Sequence, residues 1–280
     1  MTNDSSANLA LVLGGGGLSG IGWLTGVLAA LEAKGLDLAS RADQVVGTSA
    51  GSAVAAQVLQ EGALRRYATT TRPDLLNDEL TPRMPLDVFF ESVTKVLESG
   101  KPAAGMLTDL IDFSVAHRTI DPGARAAVIR ARLPRPEWPD AGLAVVALNR
   151  SGRVVLTRES GVPLATAVEA SCAVPGIWPV VRIDGADHID GGMFTTTNAV
   201  LARDHRRIVV VKPMREPVPG LDPEEAETLE RAFVIEPGEH ANRLFPADPF
   251  DPSGRASAAL AGYLEGLELA DDVARYLGAG

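Results

Sequence analysis

"QVVGTSAGSAVAA", residues 44–56, decides how this chain is read. Val45 and Val46 run into Gly47, Ser49 stands between two small residues, Gly51 follows, and an alanine-rich segment begins. A short apolar run that breaks abruptly into a helix is how a buried strand ends in a layered α/β protein. Gly47-Thr48-Ser49-Ala50-Gly51 also fits G-x-S-x-G, the sharp strand-to-helix turn that lifts a serine hydroxyl above the end of a sheet. Gly47 and Gly51 suit that turn because backbone segments come so close that side chains would clash. The helix starting at Ala50 directs its positive end toward Ser49. Serine is also a preferred helix N-cap, so the pentapeptide alone leaves a plain capping turn open.

Upstream, "LALVL" (Leu9 to Leu13) is a second apolar run, stopped by four glycines. Ile21, Leu24, Val27, Leu28 and Leu31 then recur at helical spacing, and Gly35 sits where a C-cap glycine belongs. Two strand-helix pairs in succession predict a doubly wound α/β sheet. Downstream, helices are expected in "PLDVFFESVTKVLES", "MLTDLIDFSVAHR" and "PGARAAVIRARL", and a hairpin from Leu143 to Arg158 around Ser151 and Gly152. A helix from Pro163 to Cys172, strands at "VVRID", "HIDGG", "RIVVVKP" and "AFVIEP", and a final amphipathic helix from Ala256 to Leu277 complete the pattern. The acidic run "DPEEAETLE" reads as a solvated helix face. Met84, Leu86, Val88, Phe89, Phe90, Val93, Val96, Leu97 and Met106 read either as an acyl-chain pocket or lid, or as an ordinary amphipathic core helix.

With 280 residues, 46% of them apolar, the chain can bury a full core, and one domain over residues 1–280 is expected. A net charge of −10 argues against nucleic acid as a partner and against long-range attraction to anionic membranes. Any membrane contact would be apolar and local. Cys172 is the one cysteine and cannot form an internal disulfide, which fits a reducing cytoplasm. The first residues lack a basic n-region, and no apolar run approaches the roughly 18 residues of a membrane span, so a soluble protein is expected.

The loop "LVLGGGGLSG" (Leu11 to Gly20) offers unobstructed amides that could converge on an oxyanion or on a phosphate. Gly15, Gly17 and Gly20 formally satisfy the dinucleotide pattern G-x-G-x-x-G, but no acidic residue ends the second strand to hold a ribose. None of His117, His188, His205 and His240 sits in a motif of its own. "HIDGGM" places Asp190 before Gly191 and Gly192 at the end of a short strand, which by itself is only a turn.

Taken in order, the GGGG-x-x-G loop, GTSAG, "ASCAVPG" (Ala170 to Gly176) and DGG (Asp190 to Gly192) resemble the patatin-like phospholipases over roughly Leu9 to Pro213. The resemblance implies a three-layer α/β/α fold with a mostly parallel sheet, a motif-bearing core over about 9–213 and a C-terminal helical extension over about 253–280. It implies a lipase, esterase or phospholipase A-like enzyme acting on a lipid or other acyl ester through an acyl-enzyme. Ser49 would be the nucleophile, Asp190 its base with no histidine, and Gly15, Gly16 and Gly17 the oxyanion donors. Gly47, Gly51, Gly191 and Gly192 would shape the backbone, and neither metal nor cofactor would be needed. One departure bears on substrate: the family loop commonly carries a basic residue where this chain has Ser19, which weakens the case for phospholipids more than that for ester hydrolysis. "ASCAVPG" reads as structural, with Cys172 a small packed hydrophobe. The competing readings are a Ser-His-Asp hydrolase using His205 or His240, a non-catalytic binder of nucleotides or acyl groups, and a transacylase.

Overall fold

The computed structural model describes residues 8–72, 79–117, 120–215 and 222–278. The leader-free reading of residues 1–7, the helical reading of 118, and the proline-rich stretch 216–221 lie outside the described residues. β1 (Leu9–Leu13) leads to α1 (Gly17–Ala33), a short α2 (Leu38–Arg41), β2 (Gln44–Thr48), α3 (Ala50–Glu61) and α4 (Ala63–Thr70). A helical section follows: α5 (Leu86–Leu97), α6 (Ala103–Ala116) and α7 (Pro122–Arg132). The β3 (Leu143–Asn149) and β4 (Gly152–Leu156) hairpin, α8 (Leu164–Ser171), and the β5 (Val181–Ile183) and β6 (Ala186–Asp190) hairpin come next. β7 (Arg207–Val211), α9 (Pro223–Arg231), β8 (Phe233–Ile235), α10 (Glu239–Leu244) and α11 (Arg255–Leu277) close the chain.

β3, β2, β1, β7 and β8 hydrogen-bond side by side, all in parallel, while β4 and β6 join β3 antiparallel and β5 extends β6. Because side chains alternate along a strand, the parallel strands feed two cores. Leu9, Leu11, Leu13, Val45, Val145, Val209 and Val211 face α1, α3, α8 and α11, whereas Ala10, Val12, Val46, Val146, Ile208 and Val210 pack with Ala199, Ala202 and Leu229. Both faces of the sheet are therefore covered, as its continuous apolar strands require. A third cluster joins Phe89, Val93 and Leu97 of α5 to Leu107, Leu110 and Ile111 of α6, and to Ile189 and Trp178. α5 is thus a core helix on one face, while Val88 and Phe90 on the other are exposed.

The C-terminal helix is locked to the glycine-loop helix. A Cβ on Gly26 would lie 2.0 Å from the Ala259 carbonyl oxygen, so α1 and α11 approach at backbone distance. Trp23 Nε1 donates to Glu265 at 2.7 Å across the same seam. Buried Glu79 pairs with both Arg132 at the end of α7 and Arg255 at the start of α11, tying the extension to the helical section. No helix among the described residues is long and apolar enough to cross a membrane.

Candidate active site

β3 organises the site. Val145 to Asn149 pair with β4 along one edge. Along the opposite edge β2 runs parallel as far as Thr48, opposite Val146, and β6 runs antiparallel from Ile189, opposite Leu148, to Asp190, opposite Ala147. β2 and β6 therefore meet head to head on consecutive rungs, which brings Ser49 and Asp190 together.

Ser49 is the N-cap of α3 with φ 51° and ψ −119°, a conformation that a side chain disfavours by about 1–3 kcal/mol and that persists only where neighbours over-determine it. The neighbours are specific. A Cβ on Gly51 would stand 1.9 Å from the Leu13 carbonyl oxygen, and one on Gly47 would stand 2.6 Å from Ser52 Cα. Ser171 Oγ accepts the Ser49 amide at 2.9 Å and donates to the Val146 carbonyl at 2.6 Å, riveting the turn to β3. Asn198 Nδ2 donates to Thr48 Oγ1 at 3.0 Å and to the Gly191 carbonyl at 3.2 Å, joining the serine turn to the DGG turn. Sequence reading gave "ASCAVPG" a structural role without singling out Ser171, and it missed Asn198, which belongs to no motif.

Asp190 is 3% exposed. Its Oδ1 accepts the Gly192 amide at 2.7 Å, and Oδ2 is buried without a hydrogen-bond partner. Burial pushes the carboxyl up to about 6, against the Ser49 hydroxyl, the Gly192 amide and the Arg125 charge, all of which favour ionisation. The Ser49 hydroxyl thus acts on the carboxyl while standing short of full hydrogen-bond geometry, as catalytic pairs often do without substrate.

The glycine loop is more committed than expected. The Gly14 amide donates to the Val211 carbonyl at 3.0 Å, Leu18 to Pro249 at 2.7 Å, and Gly15 to Thr196 at 2.9 Å. Gly15, anticipated as an oxyanion donor, therefore has its N–H engaged. Gly16 and Gly17 make no amide hydrogen bond among the described residues, since the first helical N–H groups have no partner within the helix. Two free amides suit an oxyanion better than the pyrophosphate of a dinucleotide. Ser19 is buried, its hydroxyl unpartnered.

Glu224, Glu227 and Glu230 of "DPEEAETLE" are exposed, as a solvated face requires, but Glu225 turns inward. It is 3% exposed and accepts the amides of Ala199 at 2.7 Å and Val200 at 2.8 Å, and the hydroxyls of Thr195 and Thr197. It braces the segment that follows the DGG turn.

Ser49 opens into a hollow of about 20 Å³, with Leu18, Ile21, Arg125, Cys172, Trp178 and Phe250 in its walls. No histidine lines it: His117 packs at a tilt against Phe113, His188 lies on β6 beside Asn149, and His240 is exposed on α10. A larger hollow of about 570 Å³ begins at Gly16 and runs between Phe90, Met214 and Phe245 without reaching Ser49. Of these two hollows only the small one is lined by Ser49, so it is the one through which a ligand would reach the serine. Cys172 is no rival nucleophile: it is buried, and burial drives its thiol up to about 11. Among the described residues no three His, Cys, Asp or Glu side chains cluster to hold a metal.

A model of the patatin-like phospholipase family matches residues 11–203, well over half of the chain. The chain belongs to the patatin-like phospholipase family. Among curated proteins there is no match. Solved structures of similar fold include VipD from Legionella pneumophila, 17% identical over 94% of this chain and 66% of that one, TM-score 0.47. Full-length ExoU from Pseudomonas aeruginosa, solved with SpcU, is 16% identical over 97% of this chain and 57% of that one, TM-score 0.39. Human GIVD cytosolic phospholipase A2, in complex with methyl gamma-linolenyl fluorophosphonate, is 13% identical over 97% of this chain and 58% of that one, TM-score 0.41. The chain thus spans 57% to 66% of the length of these structures. In this patatin-like chain the family match ends before β7, so Pro249, whose carbonyl accepts the Leu18 amide, and Phe250, which lines the hollow beside Ser49, come from outside the matched region.

Proposed function

We propose that the protein is a lipid acyl hydrolase that cleaves carboxylic esters with Ser49 as nucleophile and Asp190 as general base. One observation carries the reading: a serine held in a strained turn acts on a buried, otherwise half-satisfied carboxyl whose pKa is raised to about 6. Such a carboxylate is ionised at neutral pH yet basic enough to take a proton in the transition state. As Ser49 Oγ bonds to the ester carbonyl carbon, its proton passes to Asp190 and the carbonyl oxygen becomes an oxyanion. The unpartnered Gly16 and Gly17 amides would receive that charge, and losing one such donor costs about 2.7–4 kcal/mol of barrier. Collapse breaks the ester C–O bond, Asp190 returns the proton to the departing alcohol, and an acyl-Ser49 remains. Water then attacks, giving its proton to Asp190, and the carboxylic acid leaves as Ser49 recovers its hydrogen.

Hydrolysis of 4-nitrophenyl butyrate and palmitate, with fluorophosphonate labelling of Ser49, tests this. A variant carrying His205→Ala and His240→Ala together keeps activity within about threefold if the base is Asp190. Collapse of that variant would move the base role to histidine, and a wild type that neither hydrolyses nor labels would end the reading.

Ser171 should matter as a positioning residue. In Ser171→Ala the Ser49 amide and the Val146 carbonyl both lose a buried partner, costing about 1–3 kcal/mol of stability. Loosening the serine turn should also lower kcat by roughly 10- to 100-fold with little change in KM, since effective molarity depends on sub-ångström placement. Ser171→Thr, which keeps the hydroxyl, should recover part of both. Unchanged melting and kcat in Ser171→Ala would sink this role.

A further inference from the structure

We propose that Arg125 is a substrate-recognition residue: its guanidinium binds an anionic oxyacid group, phosphate or carboxylate, that the substrate carries close to the scissile ester. The inference rests on the ester-hydrolase reading of Ser49.

Arg125 comes from α7 and is 3% exposed, yet its side chain lines the same hollow as Ser49. Its guanidinium carbon lies 3.8 Å above the Trp178 ring. Stacking occupies the flat face of the group and leaves the N–H edge, and on that edge Nε and Nη1 are buried without a hydrogen-bond partner. Arg132 and Arg255, the other fully buried arginines, pair with Glu79. Arg125 has Glu79 and Glu169 only as distant electrostatic influences.

A buried cation with empty donors weakens a fold, because desolvation is not repaid by a partner. A neutral or apolar side chain would serve the packing against Trp178 at lower cost. What a guanidinium adds is a planar fork of donors that matches the two oxygens of a carboxylate or phosphate. Arg125 and Ser49 line one hollow of about 20 Å³, so an anion on the guanidinium edge would lie near the reacting carbonyl. Phe250, edge-on to Trp178 with ring centroids 6.1 Å apart, lines the same hollow and is the side chain that must yield to an occupant.

Binding to Ser49→Ala protein, measured by calorimetry, separates this from catalysis. The probes are octyl phosphate, octanoate and octanol, which share a chain and differ in the head. At least one anion should bind tenfold or more tightly than octanol, and the preferred anion tells phosphate from carboxylate. Arg125→Met should erase the preference, and Arg125→Lys, which keeps charge but not the fork, should retain only part. Equal binding of all three probes to the Ser49→Ala protein overturns the proposal whether or not Arg125→Met folds. So does an equal loss for all three in Arg125→Met. Its melting point should be no lower than that of its parent, as a purely structural arginine would not allow. Hydrolysis of neutral 4-nitrophenyl butyrate by the wild type is read separately: failure there counts against the hydrolase reading and leaves the anion site to the binding data.

Discussion

Ser49→Ala should lower ester hydrolysis by at least about 10⁴-fold, since loss of a nucleophile that works as a unit with its base removes nearly all of their joint contribution. Fluorophosphonate labelling should vanish with it. The fold should survive, because the Ser49 side chain makes no hydrogen bond to the backbone, while its amide and carbonyl, which hold the turn through Ser171 and Ser52, are kept. Alanine has a Cβ as serine does, so the strained φ of 51° costs the variant no more than it costs the wild type. The substitution should also act on Asp190: removing a hydroxyl that favours the ionised carboxylate moves its pKa still further up. Melting close to wild type together with retained activity above a few per cent would show that another group performs the attack, and the serine turn would then be only a helix cap.

The serine turn was legible because its causes are local. Gly47 and Gly51 are demanded by atoms within a few residues or by the adjacent strand, and a five-residue pattern records that demand. Asp190 was legible only through the order of motifs. What places it at Ser49 is the register by which β2 and β6 share one edge of β3, and register is a long-range property that no short window carries. The same holds for what was missed. α4 is a polar segment with no cap of its own; Glu32 on α1 accepts the amides of Ala63 and Leu64 and starts the helix from across the fold. Glu225 looks like one more surface acid in an acidic run until the fold wraps four donors around it. Arg125 sits in "PGARAAVIRARL", which by itself reads only as a helix, and it is packing on Trp178 that turns its side chain into the hollow. Gly15 shows the converse error: a glycine in the right loop is not a free donor once a neighbouring carbonyl has taken its N–H.

Asp190→Asn should separate activity from stability. Asparagine keeps an acceptor for the Gly192 amide but takes no proton from Ser49, so hydrolysis should fall by roughly 10³- to 10⁴-fold, the range in which general bases contribute to nucleophile activation. Stability should move the other way. The carboxyl titrates at about 6 in the folded protein against an ordinary 3.8, so between those values the native state holds a proton that the unfolded chain has released. Its favourable contribution is complete below the ordinary value, declines as pH rises through about 6, and is absent above it, where the native state carries a buried carboxylate at a cost. A raised pKa of this size corresponds to ~3 kcal/mol as an upper bound, at 1.36 kcal/mol per unit. Asp190→Asn should therefore melt above wild type at pH 8 and lose that advantage near pH 4. The same titration sets the wild type's activity, with kcat/KM falling about tenfold per unit below pH 6 and flat above it. An Asp190→Asn protein that melts below wild type at pH 8, or wild-type kcat/KM unchanged between pH 5 and 8, would show that the carboxyl is ionised without strain and serves structure, not proton transfer.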